Sequence, residues 1–264
     1  MTSEKIKLSS LVIAKNESAN IARCLESQLG CIDDLLVLID DTSTDNTEEI
    51  ISGYYNVRCE KIKWKGYSAT KIEGLEKTKY EWVLWLDADE RISPELKQEL
   101  LSFKSSAPPY AAYSIPRKAI FLGKWIKHSG WYPGRVIRLF NKNKAKFSQN
   151  YVHEHLVVNG SVGELTKDIE HYTDPSIQHY FKKFNHYTSL AAEELNIKNK
   201  KFSVWSLIIR PAAVFFKMYF IRRGFMDGIQ GFILAVFSSA YVFTKYAKLW
   251  ELTKRGKKNG KELT

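Results

Sequence analysis

Apolar runs and amphipathic stretches alternate through the first hundred residues. Leu8-Ser-Ser-Leu-Val-Ile-Ala14 has the pattern of a buried strand, and residues 18–29 that of an amphipathic helix. Leu35-Leu-Val-Leu-Ile39 predicts a second buried strand, ending in Asp40. Asp45 with Glu48 three residues on reads as a capping-box-like start for the next helix. A short strand over 57–62 and a helix over about 68–78 follow. Trp82-Val-Leu-Trp-Leu86 is then an apolar strand that stops at Asp87-Ala-Asp89. Ser93-Pro94-Glu95 supplies a hydroxyl cap, a first-turn proline and a carboxylate at the positive end of a helix. Strands alternating with helices predict a parallel sheet, whose ligands gather at the carboxyl ends of the strands.

The pattern changes after Pro108-Pro109. Short strand signals crowd together at 113–115, 136–140 and 155–158, and Asn159-Gly160 predicts a hairpin turn. All six histidines fall between 128 and 186, and from about Ser176 onward the spacing is helical. The expected division is residues 1–175, split into halves 1–107 and 108–175, followed by a helical extension over 176–264.

A chain of 264 residues with 44% hydrophobic and 26% charged positions suits one α/β domain with an appendage and excludes wholesale disorder. Cys24, Cys31 and Cys59 form no C-x-x-C pair, which argues against a disulfide framework or zinc ribbon. The first residues lack the apolar stretch of a signal peptide, so a cytoplasmic location is expected. The net charge of +11 is uneven: residues 1–181 are balanced, and residues 182–264 carry 16 Lys and Arg against 5 Asp and Glu. This basic segment is also apolar and aromatic. Its run 204–221 is interrupted by Arg210, Pro211 and Lys217, and its run 231–243 is short of the roughly 20 apolar residues a bilayer span needs. Helices lying in the interface of an anionic membrane fit that mixture, with a helical subdomain packed on the core as the alternative. Bulky aliphatic runs add nothing to phosphate binding, so no nucleic-acid partner is expected.

Chemistry concentrates at the predicted strand ends. Asp87 and Asp89 can present two carboxylates on one mouth, where Mg²⁺ or Mn²⁺ binds through oxygen and can hold a diphosphate. D-x-D alone is a weak signal; its position directly after Leu-Trp-Leu strengthens it. Asp40, Asp41 and Asp45 fall on the same rim, with Ser43 and Thr44 able to hydrogen-bond a nucleoside.

Val12-Ile-Ala-Lys-Asn-Glu17, Leu38-Ile-Asp-Asp-Thr-Ser-Thr-Asp45, Trp64-Lys-Gly-Tyr-Ser-Ala-Thr-Lys71 and Leu86-Asp-Ala-Asp-Glu-Arg91 resemble the ordered motifs of family 2 inverting glycosyltransferases. More narrowly, Gly130-Trp-Tyr-Pro-Gly-Arg135, Arg138-Leu-Phe140 and Val152-His-Glu154 are similar to the lipopolysaccharide inner-core β-1,4-glucosyltransferase branch. The resemblance covers roughly residues 8–250. It departs at Asp41-Thr42, where small residues are usual, and at Gly134, where an acidic residue is common. It implies a GT-A fold: a mixed, mostly parallel sheet flanked by helices, here with the C-terminal helical extension. It also implies that Asn16 and Glu17 face the nucleotide base, Asp40 the uridine and Lys71 the diphosphate. Asp87 would approach the ribose or metal and Asp89 would ligate the metal; Lys15 is expected to be a solvated charge.

Direct displacement at an anomeric carbon needs a base within hydrogen-bond reach of the acceptor hydroxyl. By the resemblance, Glu154 holds that position, with His153 as its orienting neighbour or the base itself. His171 is a candidate third metal ligand. Trp131 and Tyr132 offer flat faces suited to sugar rings, with core packing the alternative, and Arg135 joins them as an acceptor-binding candidate. The expected activity is metal-dependent, inverting transfer of a hexose, glucose in the first instance, from a UDP-linked donor. The acceptor is a lipid-linked saccharide such as the lipopolysaccharide core, at the inner face of the cytoplasmic membrane. The rivals are a sugar-phosphate nucleotidyltransferase, disfavoured because Ala14-Lys-Asn-Glu17 has no phosphate-loop glycine, and a catalytically inactive sugar-nucleotide-binding protein.

Overall fold

The computed structural model describes residues 5–148, 156–200 and 202–259. The chain forms two compact units, Met1–Lys118 with Gly134–Tyr172, and Ala119–Pro133 with Thr173–Thr264. The first contains β1 (Leu8–Ala14), α1 (Ile21–Gln28), β2 (Asp34–Asp40), α2 (Thr47–Ser52), β3 (Val57–Ile62), α3 (Tyr67–Lys77) and β4 (Trp82–Asp87). β5 (Glu90–Ile92), α4 (Pro94–Phe103) and β6 (Ala112–Ile115) come next. β7 (Arg117–Phe121) leaves this unit, and β8 (Lys124–Trp125) belongs to the second. The chain returns with β9 (Val136–Asn141), β10 (Ala145–Phe147), β11 (Leu156–Val158) and β12 (Val162–Glu164), and leaves again within β13 (Ile169–Asp174).

A seven-stranded sheet in the order β12-β6-β9-β4-β1-β2-β3 organises the first unit. β3, β2, β1 and β4 are mutually parallel, so their carboxyl ends share one rim. β9 runs antiparallel to both β4 and β6, which makes the sheet mixed. Every residue of β2 is buried and all but one of β1, as expected of strands covered on both faces. One apolar cluster gathers Ile21, Leu25, Leu84, Leu96 and Leu139, and another Leu11, Leu36, Val83 and Phe140.

Strand positions follow the hydrophobic pattern closely, and two turn assignments differ. β11 pairs with β10, and β12 pairs with β6, so Asn159-Gly160 links strands with different partners rather than closing a hairpin. Asp45 does not cap α2, whose N-cap is Asn46. Its carboxylate instead accepts hydrogen bonds from Ser18 N (2.9 Å) and Thr47 N (3.1 Å). Ser93 caps α4 as expected, accepting from Leu96 N at 3.1 Å.

The second unit is mainly helical: α5 (Ile177–Ile197), α6 (Trp205–Phe216), a π-helical turn over Lys217–Ile221, a 3-10 turn over Gly224–Asp227, and α7 (Gly228–Asn259). Phe121, Ile126 and Leu234 form its core with Trp131, Tyr180 and Phe237 packed around them. Residues 119–133, which the sequence pattern groups with the acceptor half, are therefore part of this unit. The run 231–243 is short by itself, but the helix extends well past it. Residues Gly224–Lys254 are long and apolar enough to cross a membrane by length and composition.

Candidate functional site

The carboxyl ends of β1, β2 and β4 carry the candidate residues. Asp40 ends β2 and Asp87 ends β4, with β1 between them, which separates the two carboxylates by two strand spacings, on the order of 10 Å.

At the β1–β2 end, two loops are joined by hydrogen bonds. Asn16 sits in the left-handed backbone region (φ 53°) just beyond β1, and its side-chain oxygen accepts from Thr44 N at 2.8 Å. Glu17 N donates to Thr47 Oγ1 (2.8 Å), while the Glu17 carboxylate accepts from Asn20 Nδ2 (2.9 Å). Asp40 is buried; it accepts from Thr42 N (2.8 Å) and Thr42 Oγ1 (2.6 Å) and pairs with Lys15 Nζ at 3.0 Å. The Thr42 hydroxyl bond, reinforced by Lys15, holds the Asp40 carboxyl below the usual carboxylate range. Lys15 is thus an ion-pair partner of Asp40 and not only a solvated charge. Burial pushes the Asp45 carboxyl up, but hydrogen bonds from Thr47 and Ser18 outweigh it and bring it down to about 2.

The β4 end is built around Arg138. The register that pairs Leu84 with Leu139 puts Arg138 of β9 beside Trp85, two residues before Asp87 on the same face of β4. Its guanidinium lies 4.1 Å from the Trp85 ring centroid and donates to both Asp87 Oδ2 and Glu90 Oε1, the latter at 2.7 Å. Glu90 is fully buried (0% of its side chain exposed) and Arg138 nearly so (4%), whereas 45% of the Asp87 side chain is exposed. Burial pushes the Glu90 carboxyl up. Asp87 feels burial too, but Arg138 beside it holds its carboxyl low. The buried Lys71 also places Nζ 3.9 Å from the Trp85 ring centroid and adds to the positive field on Asp87.

Asp89 has a different partner. Its Oδ2 lies 3.3 Å from His171 Nε2, and its carbonyl accepts from Tyr172 N at 3.0 Å, so β13 presents the imidazole to the turn after β4. Asp87, Asp89 and His171 therefore belong to one neighbourhood, but Asp87 faces Arg138 while Asp89 faces His171. Among the described residues no group of three His, Cys, Asp or Glu side chains is arranged to hold a metal ion. One carboxylate and one imidazole do suit a hard or borderline cation that takes its remaining ligands from phosphate oxygens and water.

Arg135 is engaged by the sheet: it donates to Ser114 Oγ (3.1 Å), Ser114 O (2.9 Å) and Leu165 O (2.6 Å). In the second unit, Trp131 packs edge-on against Phe121 (centroids 6.0 Å apart) and Tyr132 against Trp125 (5.2 Å). Glu154 and His153 lie outside the described residues.

In the sequence Arg138 and Glu90 stand only as members of the matched motifs and Trp85 only as a strand residue, with no role in the site, although a signal for one exists. A lone arginine inside Val136-Ile-Arg-Leu-Phe140 breaks an apolar strand and demands a buried acidic partner.

Comparison with known proteins adds four findings. The profile of Glycosyl transferase family 2 matches residues 9–159. The lipopolysaccharide core biosynthesis glycosyltransferase LpsC of Rhizobium meliloti is 27% identical over 253 residues, covering 94% of this chain and 93% of its own. An uncharacterized glycosyltransferase of Rickettsia typhi is 32% identical over 258 residues, covering 94% and 88%. Among solved structures, the mannosyltransferase PcManGT from Pyrobaculum calidifontis, in complex with GDP-Man and Mn²⁺, superposes with a TM-score of 0.54. It is 11% identical, covering 94% of this chain and 88% of its own, a likeness of fold.

Proposed function

The chain belongs to glycosyl transferase family 2 and is a glycosyltransferase of GT-A fold, and from that premise we propose inverting transfer of a hexose from a nucleotide sugar to a lipid-linked saccharide. The observation that carries the site assignment is the pairing of Asp89 with His171 beside the Arg138-held Asp87. It puts an oxygen and a nitrogen donor next to an ionised carboxylate, on the same rim as the Asp40 loops.

In this reading Asn16, Glu17 and Asp40 receive the nucleoside, with UDP the first donor to test. Asp87 meets the ribose, and Lys71 lends positive charge to the diphosphate. Asp89 and His171 would hold a divalent cation, Mn²⁺ or Mg²⁺, whose contribution when bound is to neutralise charge on the leaving diphosphate. Glu154 takes the proton of the acceptor hydroxyl as it attacks the anomeric carbon from the face opposite the diphosphate, giving a β-linked product. His153 orients Glu154 or replaces it. The similarity along nearly the whole chain to LpsC, a lipopolysaccharide core biosynthesis glycosyltransferase, supports a lipopolysaccharide-core acceptor, and glucose is the first sugar to try. Work on such an acceptor would keep the enzyme at the inner face of the cytoplasmic membrane.

The test is a panel of nucleotide sugars with Mn²⁺, reading free nucleoside diphosphate with and without a truncated lipopolysaccharide acceptor. Acceptor-dependent release that Asp89→Ala abolishes is expected. Binding of a donor with no release under any condition would remove the catalytic role.

A further inference from the structure

The second unit carries a surface that the transfer chemistry does not use. α6 and α7 form an antiparallel hairpin: Ser239 Oγ donates to Pro211 O at 2.9 Å, Phe215 meets Phe232 at 6.1 Å, and Arg210 lies over the Tyr246 ring. Along α6, Trp205, Ile208, Ile209 and Phe216 are all exposed, at the spacing of one helical stripe. Along α7, Ile229, Phe232, Val236 and Phe243 repeat the pattern. Between them, the turn exposes Phe220, Ile221 (64%), Phe225 and Met226, with Arg222 and Arg223 exposed among them.

That turn is rigid. A β-carbon on Gly231 would lie 2.0 Å from Gly224 O, and one on Gly224 would lie 2.8 Å from Met218 O, so the backbones pack at a separation only glycine permits. Arg222 O also accepts from Ser129 N at 2.9 Å. The exposed apolar side chains therefore project from a fixed platform.

We propose that this hairpin face, with its tip at residues 220–226, is a docking surface for an anionic lipid bilayer. Its apolar side chains sit in the interfacial layer, and Arg222 and Arg223 reach lipid phosphates. The proposal deepens the membrane location given under the proposed function and rests on it only for which side of the membrane is met. Charge selects the occupant. Residues 205–254 contain seven Lys and Arg against two Asp and Glu; Arg210, Lys217, Arg222, Arg223 and Lys254 are exposed, Lys248 is turned to α5, and Asp227 is buried. A second copy meeting this face through a two-fold axis would set like charges against each other, whereas anionic head groups complement them.

Packing separates docking from spanning. Leu234 of α7 is buried against Phe121 and Ile126, and Tyr246 and Leu249 against Ala192 of α5. Lys248 donates to Asn185 O, Thr188 Oγ1 and Ser189 Oγ of α5 at 2.8–2.9 Å. Between Leu234 and Leu249 one side of α7 is thus committed to protein, leaving the other for lipid, as an interfacial helix requires.

The test is co-sedimentation of the full chain with vesicles of phosphatidylcholine alone or with added phosphatidylglycerol, at low and high salt. Nucleoside diphosphate release is read on the same preparations. Expected results are binding to anionic vesicles that high salt reverses, a loss of about tenfold or more in Arg222→Glu with Arg223→Glu, and a comparable loss in Ile221→Asp. All variants should keep wild-type donor turnover. Equal binding to neutral and anionic vesicles overturns the proposal. So does retention through high salt and alkaline extraction, which would mean a span. A concentration-dependent dimer abolished by Ile221→Asp, without lipid binding, assigns the face to a second copy. Donor turnover without lipid binding defeats the docking surface and leaves the transferase intact; lipid binding without turnover does the reverse.

Discussion

Arg138→Met is the most informative single change in the first unit. Methionine roughly preserves the aliphatic volume beside Trp85 but removes the charge between Asp87 and Glu90. Asp87 is 45% exposed and can recover water; Glu90, at 0%, cannot. Its remaining cationic neighbour is Arg117, at 3.6 Å and one-third exposed. Removing one member of a buried ion pair typically costs about 3–5 kcal/mol. For a chain of this size that is a fall in Tm of roughly 6–20 °C. The pH dependence has a definite sign. Without Arg138, burial and the Asp87 charge act on Glu90 with Arg117 and His171 opposing them, so its folded pKa rises further above the unfolded value. The penalty grows as pH rises from the unfolded carboxylate range toward the raised folded pKa, and disappears as pH falls below the unfolded range. The gap between variant and wild type should narrow on acidification from pH 7 to about 5. Thermal unfolding by circular dichroism measures this. Adding Glu90→Met to Arg138→Met should recover most of the lost Tm, because the stranded charge is gone, but not donor KM, because Asp87 still lacks its partner. A single variant as stable as wild type at pH 7, or a double variant showing the sum of both losses, would refute the reasoning.

Three further outcomes are expected. Asp89→Ala and His171→Ala should each lower turnover by at least about 100-fold and raise the Mn²⁺ concentration needed for half-activity, with unchanged circular dichroism. Glu154→Gln should cut turnover by about 10²–10⁴-fold while leaving donor affinity intact; near-normal turnover would move the base role to His153. Gly231→Ala should destabilise by about 1–3 kcal/mol, read by thermal unfolding, although alanine is the better helix former, because Gly224 O has nowhere to move.

The parallel core was legible because its strands are buried on both faces and read as continuous apolar runs; β1 is found over the residues its pattern implied. The rim was legible for a similar reason, since Asp40 and Asp87 terminate such runs. What escaped depends on pairing across long separations. The Asp87–Glu90–Arg138 clamp needs β9 to lie antiparallel beside β4, which no local pattern specifies. The Asn159-Gly160 turn has hairpin chemistry, yet its flanking strands find other partners. Asp45 has cap chemistry and its Oδ1 accepts from the first N–H of α2, while its Oδ2 accepts from Ser18 N in the loop after β1, a long-range bond that no local pattern shows. Residues 119–133 read as a continuation of the strand-rich half, but Phe121, Ile126 and Trp131 are apolar enough to join the helical core.

The stitching of the loop after β1 to the loop after β2 has a consequence for recognition. Lys15, Asn16, Glu17 and Ser18 are each bonded to a residue between Asp40 and Thr47, so neither segment can rearrange alone. Under the proposed function, a nucleoside bound there would meet a preorganised cradle and forfeit little conformational entropy in ordering it. Discrimination among bases should therefore show in dissociation rates, with association nearly the same for all, and a lesion in either loop should blunt selectivity as much as a lesion in the other.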